Sequence, residues 1–423
     1  MKQNTQRAES RQIRAREGRR EPKPLPERPR DVIFTETLHE PQREEKAAPV
    51  RRTPDIPLTV ITALLITFGC VMVYSASSVY AEQYHDDNTY FIARHLVFLF
   101  MALAFAALVV RFCTPKLWYD MGYLLFGFSL IMLLLVLVIG SDLGSGAKRW
   151  LDFKIFTVQP SEIAKLALVL SLARFMSNHQ KQILSEHRFG GSFQYGLLYP
   201  GAFIFVLVVL IALEKHISGI MIIGMIGCSM MVLGGTKLKW IALLIAAVGA
   251  AGCLLILVSD YAQARVQTWL FIDEADPLGE AWQTLQGLMA IGSGGFFGTG
   301  LGNSRQKYGF VSQPQNDFIF TIVCEELGFV GALLVIGLFA AFLWRCFHIA
   351  RHAPDRFSAL TVYGLGFKVA LQVMLNIAVV TNSMPNTGIA LPFFSYGGTS
   401  LILQIFEVGI ILSISRYASH QKH

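Results

Sequence analysis

The sequence predicts an all-α, polytopic membrane protein with about ten transmembrane helices and a long structured extracellular loop between the seventh and eighth. Three observations predict it. Of the 423 residues, 53% are hydrophobic and only 15% charged, with a mean hydropathy of +0.48; an average soluble domain carries ~25% charged residues. Beyond Ile56 the chain is a series of apolar runs broken by short polar loops, with lengths near the ~20 residues a helix needs to cross a ~30 Å hydrocarbon core. With ten crossings, 26 of the 36 Lys and Arg fall on one side. The positive-inside rule assigns that side, and both termini, to the cytoplasm.

Taken in order, residues 1–55 hold 14 basic and ten acidic residues with few aromatics. Such a segment cannot bury enough apolar surface to offset chain entropy, so a disordered cytoplasmic tail is expected. It suits anionic headgroups, or serves only as a solvated anchor. Spans are expected near 56–77, 95–111, 122–140, 161–176, 197–213, 218–233, 239–258, 318–344, 358–381 and 396–415, the second and fourth reaching into their flanks. The membrane domain then covers 56–417, and 418–423 form a short cytoplasmic tail. The first span follows a long polar tail and exceeds the length of a signal-peptide core, so no cleavage is expected.

The loop at 259–316 is too long to be a simple connection. It carries Trp269, Phe271, Trp282 and Leu285, then glycines from Gly292 to Gly302. Aromatics beside glycine turns predict a loop folded onto the membrane surface, with short helices near 262–271 and 280–291. The glycines form turns or cradle a phosphate with their N–H groups. All six cysteines fall in spans or on the cytoplasmic side, with neither an external disulfide framework nor zinc spacing. No helix-turn-helix or aromatic RNA-binding pattern is present, so nucleic acid is not an expected partner.

Two places could carry chemistry. In the long loop, Asp273, Glu274 and Asp276 cluster near Glu280, and Asp276 precedes Pro277 and Gly279, which biases its backbone toward a turn. A carboxylate fixed there can act as general base toward a sugar hydroxyl, although a loop Asp is more often a solvated turn residue. Inside the spans, polar side chains are costly unless paired or lining a cavity. Glu162 and Lys165 lie three apart behind Pro160, and Lys368, Gln372 and Asn376 make a stripe at four-residue steps. Ser400, Gln404 and Glu407 make another in the tenth span. Asp317 opens the eighth span at a capping position. Glu325 and Glu326 follow within that helix, and at least one should face an interior partner.

Three separated blocks resemble the SEDS family, the group containing FtsW, RodA and SpoVE. They are Lys148-Arg149-Trp150-Leu151 with Gln159-Pro160-Ser161-Glu162-Ile163-Ala164-Lys165; Asn316-Asp317-Phe318-Ile319-Phe320 with Glu325-Glu326-Leu327-Gly328; and Pro385 to Gly398. The likeness runs from about Ile56 to Tyr417. It implies a peptidoglycan glycosyltransferase that polymerises lipid II into glycan strands at the outer face of the bacterial plasma membrane. The family's essential Asp, in an Asp-Pro-x-Gly-x-Gly-Tyr-Gln block, falls on Asp276, with Pro277, Gly279 and Gln283 matching and Ala281 and Trp282 departing. Glu214-Lys-His-Ile-Ser-Gly219 also departs from the common Glu-Pro-Asp-Leu-Gly-Thr, and Gln315-Asn316 from His-Thr.

The resemblance makes Asp276 the catalytic residue. Pyrophosphate departure needs cationic help, from Lys165, Arg149, Arg265 and Lys368 or from a divalent cation, Mg²⁺ or Mn²⁺. Glu162, Gln283, Asp317 and Ser395 complete the substrate-binding candidates. Implied partners are lipid II, the growing strand, a class B penicillin-binding protein that cross-links it, and other division or elongation machinery. The Tyr74-Ser-Ala-Ser and Ile414-Ser-Arg-Tyr417 stretches resemble the FtsW and SpoVE branch, hence septal synthesis in division or sporulation. A lipid II flippase is the alternative, since intramembrane charge suits transport equally, and a non-enzymatic scaffold is the third reading. Paired broken helices of the transporter kind are not evident.

Overall fold

The computed structural model describes residues 53–141, 148–153, 157–187, 191–258, 260–272, 274, 276, 279 and 281–418. In chain order the elements are α1 (Ile56–His85), α2 (Tyr90–Phe112), α3 (Pro115–Ile139), β1 (Leu151–Asp152), β2 (Thr157–Val158), α4 (Pro160–Asn178), α5 (Gln180–Leu184), α6 (Tyr199–Leu213, entered through a π turn), α7 (Ile217–Leu233), α8 (Leu238–Val258), α9 (Asp260–Leu270), α10 (Trp282–Gly294), α11 (Ile319–Arg351), α12 (Arg356–Val380) and α13 (Gly398–Ser415). A long helix stands at each of the ten expected positions, and α9 and α10 occupy the two short loop helices. Among the described residues the departures from all-α are the antiparallel β1–β2 pair, Leu151 opposite Val158, and an isolated antiparallel bridge between Ser141 and Trp150. The expected tail lies almost wholly outside the described residues.

Seven helices are long and apolar enough to cross a membrane by length and composition alone, and the fold is that of a polytopic helical membrane protein. Of the others, α7 has only 17 residues, and α4 carries three charges, Glu162, Lys165 and Arg174. Proline at the first turn starts α1, α3 and α4, where its missing N–H has no helical partner in any case. Asp55, Thr114 and Asp355 cap α1, α3 and α12 by accepting N–H bonds from Leu58, Leu117 and Ser358.

Burial sorts the helices. Helices α4 and α12 are buried along most of their length and pack on each other and on α7. By contrast, α2 and α3 leave large apolar chains outside, Phe100 70% and Leu124 69% exposed. In water that would be an aggregation surface; against lipid it is the ordinary exterior. The ion-bearing helix α4 therefore sits at the centre, screened from lipid by its neighbours.

Hydrogen bonds gather the loops into two faces. On the terminal face Arg345 grips Asp55, whose N–H donates to Ser415, and Arg356 reaches the Gly234 carbonyl. On the opposite, long-loop face Arg149 reaches the Lys215 carbonyl, Trp269 the Asn382 carbonyl, and Thr399 the Thr157 carbonyl.

Candidate active site

The long-loop face is built around α10. Its residues Thr284, Gln286 and Gly287 are buried, and a Cβ on Gly287 would stand 2.8 Å from the Phe318 ring. That close approach sets α10 against the start of α11. Just before α10 the chain turns at Asp276, where the Gly279 N–H donates to the Asp276 carbonyl at 3.1 Å. The Asp276 carboxylate folds over this turn, since a Cβ on Gly279 would lie 2.8 Å from Oδ2. Asp276 itself is exposed. Asp273, Pro277 and Glu280 lie outside the described residues.

From this turn, contacts run to the other two blocks. Gln283 donates to the Ser312 carbonyl and accepts from Asn386, each at 3.4 Å. Asp317 Oδ2 lies 3.6 Å from where a Cβ on Gly388 would stand. Asn376 donates to the carbonyls of both Asp317 and Ile389, at 2.7 Å, and the Tyr396 N–H donates to the Gln315 carbonyl. Three stretches, the outer two joined by a Gln283–Asn386 bond across 103 positions, therefore meet on one face. Asp317 does not cap α11; Phe318 occupies that position without a side-chain cap. Burial instead pushes the Asp317 carboxyl up to about 6, against the pull of its own backbone N–H.

The remaining candidates divide by depth. Lys165 pairs with Glu162 at 2.5 Å and Lys368 with Glu407 at 2.5 Å, the second pair 0% and 2% exposed. Lys368 lies within electrostatic reach of Glu162, as does Glu407 of Lys165, so four charges from α4, α12 and α13 form one buried cluster. Arg149 is half-buried nearer the surface and close to Glu214 and His216. The Ser395 hydroxyl accepts from the Leu391 N–H at 2.7 Å, closing the turn that leads into α13. Arg265 lies in α9, but its side chain is outside the description.

The glycine-rich arm docks on α11. Its N–H groups at Thr299 and Gly300 donate to the Glu325 and Glu326 carbonyls, where α11 breaks at Gly328 (φ 66°, ψ −164°). Both glutamates find interior partners. Glu326 takes Ser75 and Lys307, and Glu325 takes Ser304 and the Arg305 N–H. Sequence reasoning did not single out Ser75, Ser304, Lys307 or Asn386. The adjacent glutamates were the signal that such partners had to exist.

A family model described as cell cycle protein, covering FtsW, RodA and SpoVE, matches residues 56–420. The chain belongs to the FtsW/RodA/SpoVE family. It is 39% identical over 376 residues to stage V sporulation protein E of Bacillus subtilis strain 168, covering 88% of this chain and 99% of that one. It is 36% identical over 367 residues to a probable peptidoglycan glycosyltransferase FtsW of Thioalkalivibrio sulfidiphilus, covering 86% and 89%. Among solved structures it resembles RodA of Thermus thermophilus, with a TM-score of 0.64, 26% identity and coverage of 87% and 98%. It also resembles a chain of a peptidoglycan synthase complex that coordinates polymerization and crosslinking, with a TM-score of 0.70, 27% identity and coverage of 86% and 98%.

Within the family pattern, two departures now have a local account. Ala281 is fully buried with φ −78° and ψ −18°, a helical conformation that does not need glycine. Lys215 has φ 54°, which proline cannot adopt, so the loop at Glu214 turns differently from a Glu-Pro-Asp stretch.

Proposed function

We propose that this chain is a peptidoglycan glycosyltransferase that polymerises lipid II at the outer face of the bacterial plasma membrane. In this reading the long-loop face is outside and both termini are cytoplasmic. The observation that carries it is the Asp276 turn. An exposed carboxylate is folded against Gly279, on a loop tied through Gln283 to the Asn386 block. The family membership and the named activity of curated relatives support the same reaction.

Asp276 Oδ takes the proton from the 4-hydroxyl of the acceptor's GlcNAc. That oxygen forms the new bond to C1 of the donor's MurNAc, while the bond from C1 to the pyrophosphate oxygen breaks and polyprenyl pyrophosphate leaves with the electron pair. Gln283 and Asp317 flank the position of the sugars. Among the described residues no three His, Cys, Asp or Glu gather to hold a metal. A divalent cation, Mg²⁺ or Mn²⁺, would supply charge stabilisation to the departing pyrophosphate.

A class B penicillin-binding protein is the proposed partner, and septal or sporulation synthesis the proposed setting. Buried ion pairs in α4, α12 and α13 are the observation that favours the second reading, lipid II translocation. One experiment separates them: polymerisation of labelled lipid II by purified protein with its cognate transpeptidase, wild type against Asp276→Ala. Glycan ladders from wild type alone are expected. Equal ladders from a folded Asp276→Ala would remove this residue from the mechanism. No ladder from either, beside an active control polymerase, would favour translocation.

A further inference from the structure

On the long-loop face, between α6 and α7, three residues join the two helices: Glu214, Lys215 and His216. Glu214 is 2% exposed, and neither of its carboxylate oxygens has a hydrogen-bond partner. His216 Nδ1 is buried and equally unpartnered. Ser161, 1% exposed in the first turn of the 19-residue α4, leaves its Oγ without a partner too. Such groups are costly to leave buried and bare, so three together point to something that satisfies them.

Their charged surroundings say what. The Arg149 guanidinium lies beside Glu214 and His216, held by the bond of its Nη2 to the Lys215 carbonyl at 2.7 Å. Lys215 reaches that position with φ 54°. Lys165 and Glu162 face His216 from α4. The first turns of α4 and α7 both open here, on helices that pack together, and the positive ends of their dipoles favour an anion. An arginine, two helix N-termini, a bare hydroxyl and a bare imidazole nitrogen suit a diphosphate. A carboxylate fits beside an anion only if it carries a proton and donates. Burial does this, pushing the Glu214 carboxyl up to about 8 against the opposing pull of Arg149. His216 is pushed down to about 4 by burial, then by Arg149 and Lys165, so it is neutral at pH 7.

We propose that Arg149, Ser161, Glu214 and His216 form the subsite for the diphosphate of a polyprenyl-linked sugar donor, with Glu214 as a neutral hydrogen-bond donor to a phosphate oxygen. This rests on the polymerase reading and assigns its leaving-group site. The sign of the pH dependence follows. Below about pH 8 Glu214 is neutral, and Arg149 keeps its charge for the ligand. Above it, the new carboxylate neutralises Arg149 and repels phosphate.

The test is binding of polyprenyl pyrophosphate, polyprenyl monophosphate and free inorganic pyrophosphate to the full chain in nanodiscs, from pH 6.5 to 9. Wild type should prefer the lipid pyrophosphate and lose about tenfold in affinity between pH 7 and 9, following the neutral fraction of Glu214. Glu214→Gln, isosteric with the neutral acid, should bind at pH 7 like wild type and lose the alkaline fall. Arg149→Gln and His216→Leu should bind at least tenfold more weakly with unchanged thermal unfolding. The same alkaline fall in Glu214→Gln, or unchanged affinity in Arg149→Gln, would overturn the subsite. Tight binding of free pyrophosphate with no gain from the lipid would overturn the assignment to a lipid-linked donor. Normal ladders with pH-independent binding would sink the subsite and leave the polymerase reading standing; pH-dependent binding with no ladder would do the reverse.

Discussion

At the scale of single residues, the site depends on what small or neutral side chains leave room for. Gly279 is the sharpest case. A methyl there would sit 2.8 Å from Asp276 Oδ2, and the far end of the Asp side chain is what would yield. Gly279→Ala should therefore lower polymerisation at least tenfold while the melting temperature stays within a degree or two, read by ladder assay beside thermal unfolding. The buried pair Lys368–Glu407 behaves oppositely, its removal being a matter of stability. Lys368→Met leaves Glu407 buried without its counter-charge and should cost ~3–5 kcal/mol. Adding Glu407→Leu should recover most of that, because the double variant buries no lone charge. Chemical unfolding in detergent of both variants checks it, and a double variant as unstable as the single would contradict the account. Asp317 offers a pH signature. Its carboxyl is raised to about 6 by burial, so the native state holds the proton more tightly than the unfolded chain. Wild-type stability should rise as pH falls from above 6 toward 4, and Asp317→Asn should flatten that segment.

At the scale of elements, the long loop is held by two separate attachments. Its first half hangs on Trp269 and Gln283, and its second on the latch of Lys307 and Ser304 to Glu326 and Glu325. The latch needs the break in α11. A Cβ on Gly328 would lie 2.3 Å from the Gly298 nitrogen, at φ +66°, so both the contact and the backbone conformation require glycine. Lys307→Met, which strands Glu326 at 0% exposure, should raise amide exchange over residues 299–307 well beyond any change in α12. Uniform protection in that variant would show the arm is held by other means. Here the limits of sequence reading are physical. Glu325-Glu326 announced a partner, because two carboxylates cannot sit bare in a helix interior. Which loop residue supplies the ammonium was hidden, since Lys307 sits among glycines and serines with no periodic neighbour. Gly328 likewise reads as an ordinary helix glycine until the arm is seen docked on it.

At the scale of the whole molecule, legibility follows from the solvent. A hydrocarbon core imposes one length on every span, so all ten positions could be read from apolar runs, and α4 despite its three charges. Glu162 and Lys165 were legible as a pair because three residues bring them to one face. Lys368 and Glu407, 39 positions apart, were not, because α12 and α13 meet only in the assembled bundle. The same holds at the terminal face, where Asp55 joins three helices: it caps α1, accepts both Nε and Nη2 of Arg345 from α11 at 2.9 and 2.7 Å, and its N–H bonds Ser415 of α13. Burial alone would raise its carboxyl, but Arg345, the Leu58 N–H and His348 together hold it below the ordinary carboxylate value. The clasp is therefore fully present above pH 3.8 and is lost as pH falls through the lowered value. Asp55→Asn separates its two roles, since Asn caps a helix as well as Asp does but carries no charge and offers the guanidinium one acceptor oxygen in place of two. It should cost about 1.5–3 kcal/mol, the range for hydrogen bonds to charged groups. Arg345→Gln should cost the same, and the double variant no more than either, because one interaction is removed in all three. Additive losses would mean that each residue holds the terminal face through a partner of its own.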